Sequence, residues 1–570
     1  MVDRFVPAPK VRSMDNRATT KNIKEVDELK KIVFLIIASL LILALVLPGC
    51  DGGNGGVVRP KIKIGIPYPF GTIQGTSMLT AAQLAASQLN VAGLYVSSEN
   101  KTYDIQIIGR NDNEIANPPD AYLAVDWLIN SGGAEWIIGG FRTEAVVPMI
   151  LNVFMTESPP VPFFIVGSST AEVLSDIGLL VPPVPSQWGI GTPYYAYNAS
   201  ASGFYKYIFR ATPMNSGFLL GMVMTYFAQA CQDIQAAMNW TWNGTAWPHN
   251  VKVAIVAENL TWAGPIIGGY QALVSGFGAL GAGWELNVTE TFGDTASASV
   301  VDAALTNIEN NQCQVILTCM SGPCGLTFGK RMGALDIHAI PVGINVEAQD
   351  LNYHINSAGG AQAELTTATY ATGVQSTNKT TQFLADYSAY TGGAFPIYTA
   401  GSYDMVMALA EAIVGAGTRN KDAVSNYLRA NGRTGTASYT AFYPAWDQTT
   451  WKKSGALTLP ALNTTQISAI YGPLAVPGYN TTMKPYTTND LIYGPGYATG
   501  LGVQWVNGTQ VGVYPNSGYD VAVGGFPGPI QSSLQAKLCG LYWSNTLEYA
   551  GTSNIVIPAS YVSNWTAWYP

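Results

Sequence analysis

Cys50 is the residue whose surroundings most clearly prescribe a chemistry. It closes the run from Lys30 to Cys50, KKIVFLIIASLLILALVLPGC, in which two lysines precede an apolar stretch and Leu47-Pro48-Gly49 leads to the thiol. A small residue then cysteine at the end of such a stretch is the arrangement that takes a lipid on sulfur. The apolar core, Ile32 to Leu47, has 16 residues. A bilayer-spanning helix needs roughly 20, and a signal core is shorter. The segment ahead of it is long and carries Asp3, Asp15, Glu25, Asp27 and Glu28, so an uncleaved N-terminal anchor stays open beside lipidation at Cys50. Both outcomes place the rest of the chain at the outer face of the cell membrane. Eleven Asn-X-Ser/Thr sequons, from Asn100 to Asn564, all follow Cys50. Glycosylation there would add bulky, solvating sugar to surface loops, and with the lipid motif this suggests an archaeal surface protein.

The other reactive residues point away from catalysis. Cys231, Cys313, Cys319, Cys324 and Cys539 form an odd set, which in an oxidising compartment leaves a free thiol or an intermolecular bond. Cys319 and Cys324 are near enough to pair across a tight loop, or they are small buried hydrophobes. No CxxC occurs and there are three His, so a zinc site is not expected. Gly276-Phe277-Gly278-Ala279-Leu280-Gly281 has dinucleotide-loop spacing but ends a helix instead of opening one. Gly329-Lys330 lacks the Ser/Thr and first glycine of a P-loop. No G-x-S-x-G or HExxH is present. The reading is a non-enzyme with no catalytic residue and no cofactor.

Composition sets the class. The 570 residues are 48% hydrophobic and 11% charged, with 60 Gly and 31 Tyr, unlike a charge-rich disordered chain. A net charge of -8 and pI near 5.0 exclude the basic face of a nucleic-acid binder. A surface with few ionisable groups also suits an acidic habitat.

These residues need elements to hold them, and the pattern is alternating. DGGNGGVVRP (51–60) reads as a flexible tether. Short apolar runs follow at Lys61–Ile66, Asp104–Gly109, Trp136–Ile138 and Pro162–Val166, separated by helix-length segments. After a Pro- and Tyr-rich stretch the plan restarts, with strands expected at Val251–Ala257, near Leu286, at Gln314–Thr318 and at Pro341–Ile344. Strands interleaved with helices mean βαβ units and parallel sheets. Two such halves face each other across a cleft at their strands' carboxyl ends.

The segments KIKIGIPYPFG, WIIGGFRTEAVVPM, PFFIVGSSTAEVL, VKVAIVAENLTWAG, FGKRMGALDIHAIPVGINVEAQ and FPIYTAGSYDMVMALAEAIVGAG occur in this order between about residues 61 and 435. In order and spacing the chain resembles the solute-binding proteins of branched-chain amino acid ABC transporters. The resemblance implies the α/β type I periplasmic-binding fold: two Rossmann-like lobes with parallel sheets joined by a hinge. Lobe 1 would comprise 61–208 and 373–435, and lobe 2 would comprise 209–372. Residues 436–570, rich in Tyr, Pro, Gly and Trp, are expected to form a β-rich C-terminal extension that partly completes the hinge and lobes. The implied function is an extracytoplasmic binding component of an ABC importer. It would be a monomer that takes a small solute and works with permease and ATPase subunits. The alternative is a ligand-sensing or structural surface protein on the same fold.

The resemblance also implies a site. Its two strand-to-helix loops are Phe141-Arg142-Thr143-Glu144 and Gly167-Ser168-Ser169-Thr170. Thr143 matches the family's serine hydroxyl, and Ser168, Ser169 and Thr170 its second loop. Helix-start N–H groups attract an anion and hydroxyls donate to it, although Ser and Thr there also serve as plain N-caps. Gln74 would reach over the ligand, Trp262 would be an aromatic lid, Tyr398 an aromatic wall, and Ser321 a loop contact. Asn345 stands where amino-acid binders place an acid for the ammonium, with Glu347 two residues away. Asn does not neutralise a buried ammonium, while Arg142 can grip a carboxylate with both nitrogens. This departure suggests a ligand more anionic than leucine, unless Arg142 pairs with Glu144 or another acid.

Overall fold

Apolar strands flanked by helices on both faces explain the architecture. The computed structural model describes residues 58–156, 161–170, 207–212, 215–238, 249–279, 283–442, 446–447, 452–453, 490–491, 501–514 and 555–568. The chain divides into the units Met1–Val58 and Arg59–Pro570, and all that follows concerns the second. Cys50, Cys539 and most of the tail lie outside the described residues.

The first sheet contains β1 (Lys61–Tyr68), β2 (Leu94–Val96), β3 (Lys101–Asn111), β4 (Trp136–Gly139), β5 (Phe163–Ile165) and β6 (Ile208–Arg210). Their order is β2-β3-β1-β4-β5-β6, parallel throughout except at β2–β3. Alternate side chains go to opposite faces. Ile138 and Phe164 join Met78, Leu84, Met405 and Leu409, on the helices Ile73–Ala92 and Gly401–Ala416. Their neighbours Ile137 and Phe163 join Val125, Leu128, Val146 and Ile150, on the helices Tyr122–Asn130 and Thr143–Thr156. A sheet covered on both faces needs strands that are apolar without interruption, as WIIG and FFI are.

The second sheet repeats the plan with β7 (Val251–Glu258), β8 (Trp284–Phe292), β9 (Val315–Met320), β10 (Ile340–Asn345) and β11 (Leu365–Ala368). Two short ribbons follow: β12 (Arg433–Thr434) with β13 (Tyr439–Thr440), and β14 (Trp446–Asp447) with β15 (Lys452–Lys453). A hairpin of β16 (Leu501–Val506) and β17 (Thr509–Tyr514) then extends the second sheet, whose order is β17-β16-β11-β10-β9-β7-β8. Asn507 and Gly508 close that hairpin with φ of 50° and 77°, the left-handed pair that suits a two-residue turn.

The chain enters the second lobe between Arg210 and Ser216 and returns between Ala368 and Thr380. It crosses again between Leu491, in the first lobe's core, and Leu501. Where a β-rich tail was expected, the described part also contains a helix, Ala559–Trp568. The spacing of Tyr561, Val562 and Trp565 puts an apolar face on one side. Trp565 is fully buried in the second lobe and donates from Nε1 to the His338 carbonyl at 2.6 Å.

The thiols of Cys231, Cys313, Cys319 and Cys324 are buried and unbonded to one another. Burial pushes all four up, Cys313 to about 12. Cys319 and Cys324 therefore act as small core hydrophobes.

Candidate functional site

Strand neighbours in a parallel sheet bring their carboxyl-end loops side by side. The loops after β4 and β5 meet this way. Thr143, the first residue of a 14-residue helix, shares hydrogen bonds with the Ser168 hydroxyl at 2.8 Å and the Thr170 hydroxyl at 2.5 Å. A Cβ on Gly167 would stand 2.3 Å from the Phe141 Cα, so this approach requires glycine. Arg210, at the end of β6, holds the second loop from below. Its guanidinium donates to the Thr170 carbonyl at 2.7 Å and to that of Ser168, and it pairs with Asp490 at 2.9 Å.

Glu114 lies buried beneath the Thr143 helix and accepts from the N–H groups of Phe141 and Arg142 at 3.3 and 3.2 Å. Desolvation pushes Glu114 well up, with Asp112 adding repulsion. Burial raises Asp112 itself to about 7. The N–H groups of Thr143 and Glu144 take no partner among the described residues. As the first N–H groups of the helix they have no acceptor within it.

In the second lobe β7 and β9 are neighbours, and their carboxyl ends supply the facing wall. Glu258, fully buried at the end of β7, accepts from Trp262 Nε1, from the Ser321 hydroxyl and from the Gly322 N–H, the last at 3.0 Å. Burial raises its pKa. One carboxyl thereby fixes both the indole and the serine that face the first lobe.

Several links join the lobes. The Arg142 guanidinium is 3% exposed and pairs with Asp294 of the second lobe. The Thr261 N–H donates to Glu144 at 2.5 Å, and Gln74 Nε2 donates to the Ser321 carbonyl at 2.8 Å and to Glu347 at 3.2 Å. Replacing Asp294 by alanine strands the Arg142 charge. Charged hydrogen bonds contribute about 1.5–3 kcal/mol, so stability to urea should fall by about 2 kcal/mol. Small-angle scattering should report a larger radius of gyration as the cleft opens. A variant with unchanged stability and radius would show that the pair does not hold the lobes.

The cavity between the lobes holds about 1120 Å³ of empty space, counting its mouth open to solvent. It is lined by Arg142, Thr143, Ser168, Ser169, Trp262, Ser321 and Tyr398, all expected from the sequence. Three expected residues do not line it. Gln74 is an interlobe strap. Thr170 stands behind Thr143. Asn345 turns into the second lobe and donates to Glu364 at 2.6 Å and to the Tyr353 oxygen at 3.0 Å. Ile344 and Val346, on either side of it, line the cavity. Arg142 pairs with an acid, so its charge is not free for an anion. Glu114, Glu258, Asp294 and Arg210 were missed. A glutamate ending the apolar run VKVAIVAE was the one legible signal, because a charge there sits at the binding edge of a parallel sheet.

The comparisons bear on the fold. Residues 271–450 match the model of the periplasmic binding protein family. The substrate-binding protein LivJ of a branched-chain amino acid transporter from Streptococcus pneumoniae, solved with isoleucine, superposes with a TM-score of 0.52. It is 14% identical, and the match covers 80% of this chain and 98% of that one. This is the type I periplasmic binding protein fold. An ABC transporter solute-binding protein from R. palustris, solved with benzoate, matches at 0.52 with 12% identity over 79% and 95% of the two chains. The leucine-binding protein LivK from Thermotoga maritima matches at 0.50 with 13% identity over 80% and 97%. No curated protein matches the chain.

Proposed function

We propose that this chain captures a small polar solute between its lobes outside the cytoplasm and presents it to a membrane permease with its ATPase subunits. The solute is an amino acid, an amide or a small carboxylate. One observation carries the reading: paired Thr143 and Ser168 hydroxyls at a helix start face Trp262 and Ser321 across a lined cavity. The helix N-terminus and its unpartnered N–H groups suit a carboxylate. With Arg142 paired to Asp294, the hydroxyls and N–H groups would carry that contact, which favours a solute neutral overall, such as a zwitterion, over a multiply charged anion. Ligand touching both lobes stabilises the closed form by the contacts made only there. The chain is tethered by lipid at Cys50 or by the apolar run before it, and it works as a monomer.

Calorimetric titration of ligand-stripped protein with amino acids, amides and monocarboxylates tests this. At a hundredfold excess over Kd, binding should raise stability by about 2.7 kcal/mol. Thr143→Val and Ser168→Ala should each weaken binding about tenfold, since a net hydrogen bond contributes about 1 kcal/mol and more to a charged group. Full-strength binding in the double variant, or no binding by any of these classes, would refute the site.

A further inference from the structure

The cavity continues past the residues that would hold a solute's head. Its far end lies at the hinge, between Thr367 and Thr369 at the exit of β11, Asp404 and Met405 on the first lobe's helix, and Ser438 and Leu491 on the returning chain. Leu219, Met222, Ile344 and Val346 give the cavity apolar wall as well. A free amino acid at Thr143 and Ser168 leaves the hinge end vacant.

The chemistry of that end is neutral. The Asp404 carboxylate is matched by Arg433 at 3.1 Å and accepts from the Thr436 N–H and hydroxyl at 2.7 and 2.8 Å. It therefore presents no unbalanced charge. The hydroxyls near it behave differently. Thr367 is 5% exposed, and its side chain makes no hydrogen bond among the described residues. The residue lines the cavity, where its hydroxyl is available to a solute. Thr369, just past the end of the strand, also lines the cavity.

We infer that the solute is elongated, a monocarboxylate or zwitterion whose apolar body runs along the hinge strands to a neutral hydroxyl or amide that bonds Thr367. The inference rests on the cleft being the solute site, and the test separates the two. Stripped full-length protein is titrated with ω-hydroxy acids and ω-hydroxy α-amino acids of three, five and eight carbons, and with octanoate. Each buried methylene is expected to tighten binding about fourfold, so the eight-carbon members of the series that binds should bind at least about a hundredfold tighter than the three-carbon ones. Hydroxyoctanoate should also be preferred to octanoate, and Thr367→Val should bring the two within about twofold of each other. Equal or weaker binding of the long members overturns the inference and leaves the proposed function standing. A hydroxyl preference that survives in Thr367→Val overturns the assignment of the tail. Failure of every member to bind overturns both.

Discussion

Replacing Arg210 by methionine is expected to remove about 3–5 kcal/mol of stability and to weaken solute binding by at least about tenfold. The guanidinium has no exposure to solvent, and its partner Asp490 has a side-chain exposure of 1%. Breaking a buried pair from one side leaves the other charge uncompensated, which costs about 3–5 kcal/mol. Asp490 also accepts from Asn215 at 3.1 Å and Leu491 at 2.9 Å. The binding effect has a separate cause. The Ser168 and Thr170 carbonyls lose their donors, so the loop that presents Ser168 and Ser169 is free to shift. Urea titration and calorimetry measure the two effects. The double change Arg210→Met with Asp490→Leu should recover much of the stability, because no lone charge remains, without recovering the affinity. A single variant within about 1 kcal/mol of the parent would show that the pair is not structural.

That pair also marks where sequence reading stops. The loops bearing Thr143 and Ser168 were legible through the family resemblance, and the structure places them after the neighbouring strands β4 and β5. Nothing local announces that Asp490, 280 residues away, underwrites the second loop, or that Asp294 takes the charge of Arg142. Ion pairs between distant segments carry no periodicity. Asn345 failed for a sharper reason. Side chains at a strand end alternate, so a one-residue change of parity sends a polar group into the lobe instead of the cleft. Ile344 and Val346 take the cleft side, and Glu364 supplies the acceptor that draws Asn345 inward. The two sheets were legible because apolar runs at helix-separated spacing admit few other folds. The tail was not, because turn-rich composition does not say which sheet a hairpin joins.

Stability should fall as pH rises from about 4.5 to about 7, the reverse of a chain held by ionised carboxylates. Desolvation is the leading cause at three acids. Asp112 is raised to about 7 with Arg142 opposing, Glu347 to about 7 with Gln74 opposing and Asp350 assisting, and Glu364 to about 7 with Tyr353 and Asn345 opposing. A carboxyl whose folded pKa exceeds its unfolded value keeps its proton longer in the folded chain. Its contribution is complete below the unfolded value and is lost as pH climbs to the folded one. Ionising each group in place costs on the order of 3 kcal/mol, and the total need not be additive. Glu99, lowered to about 2 by Arg419, acts in the opposite sense, but only below about pH 4.5. Urea midpoints should therefore be higher at pH 5 than at pH 8, by an amount equivalent to several kcal/mol. Glu347→Gln and Glu364→Gln should each flatten the profile, since an amide of the same shape has no proton to lose. Equal midpoints at pH 5 and 8 would mean these acids ionise without penalty. The expected slope joins two separate observations, a surface poor in ionisable groups and an interior with acids that hold their protons. Both favour a cleft that stays closed and folded in acid, because Glu347 in its neutral form still accepts from Gln74 across the lobes.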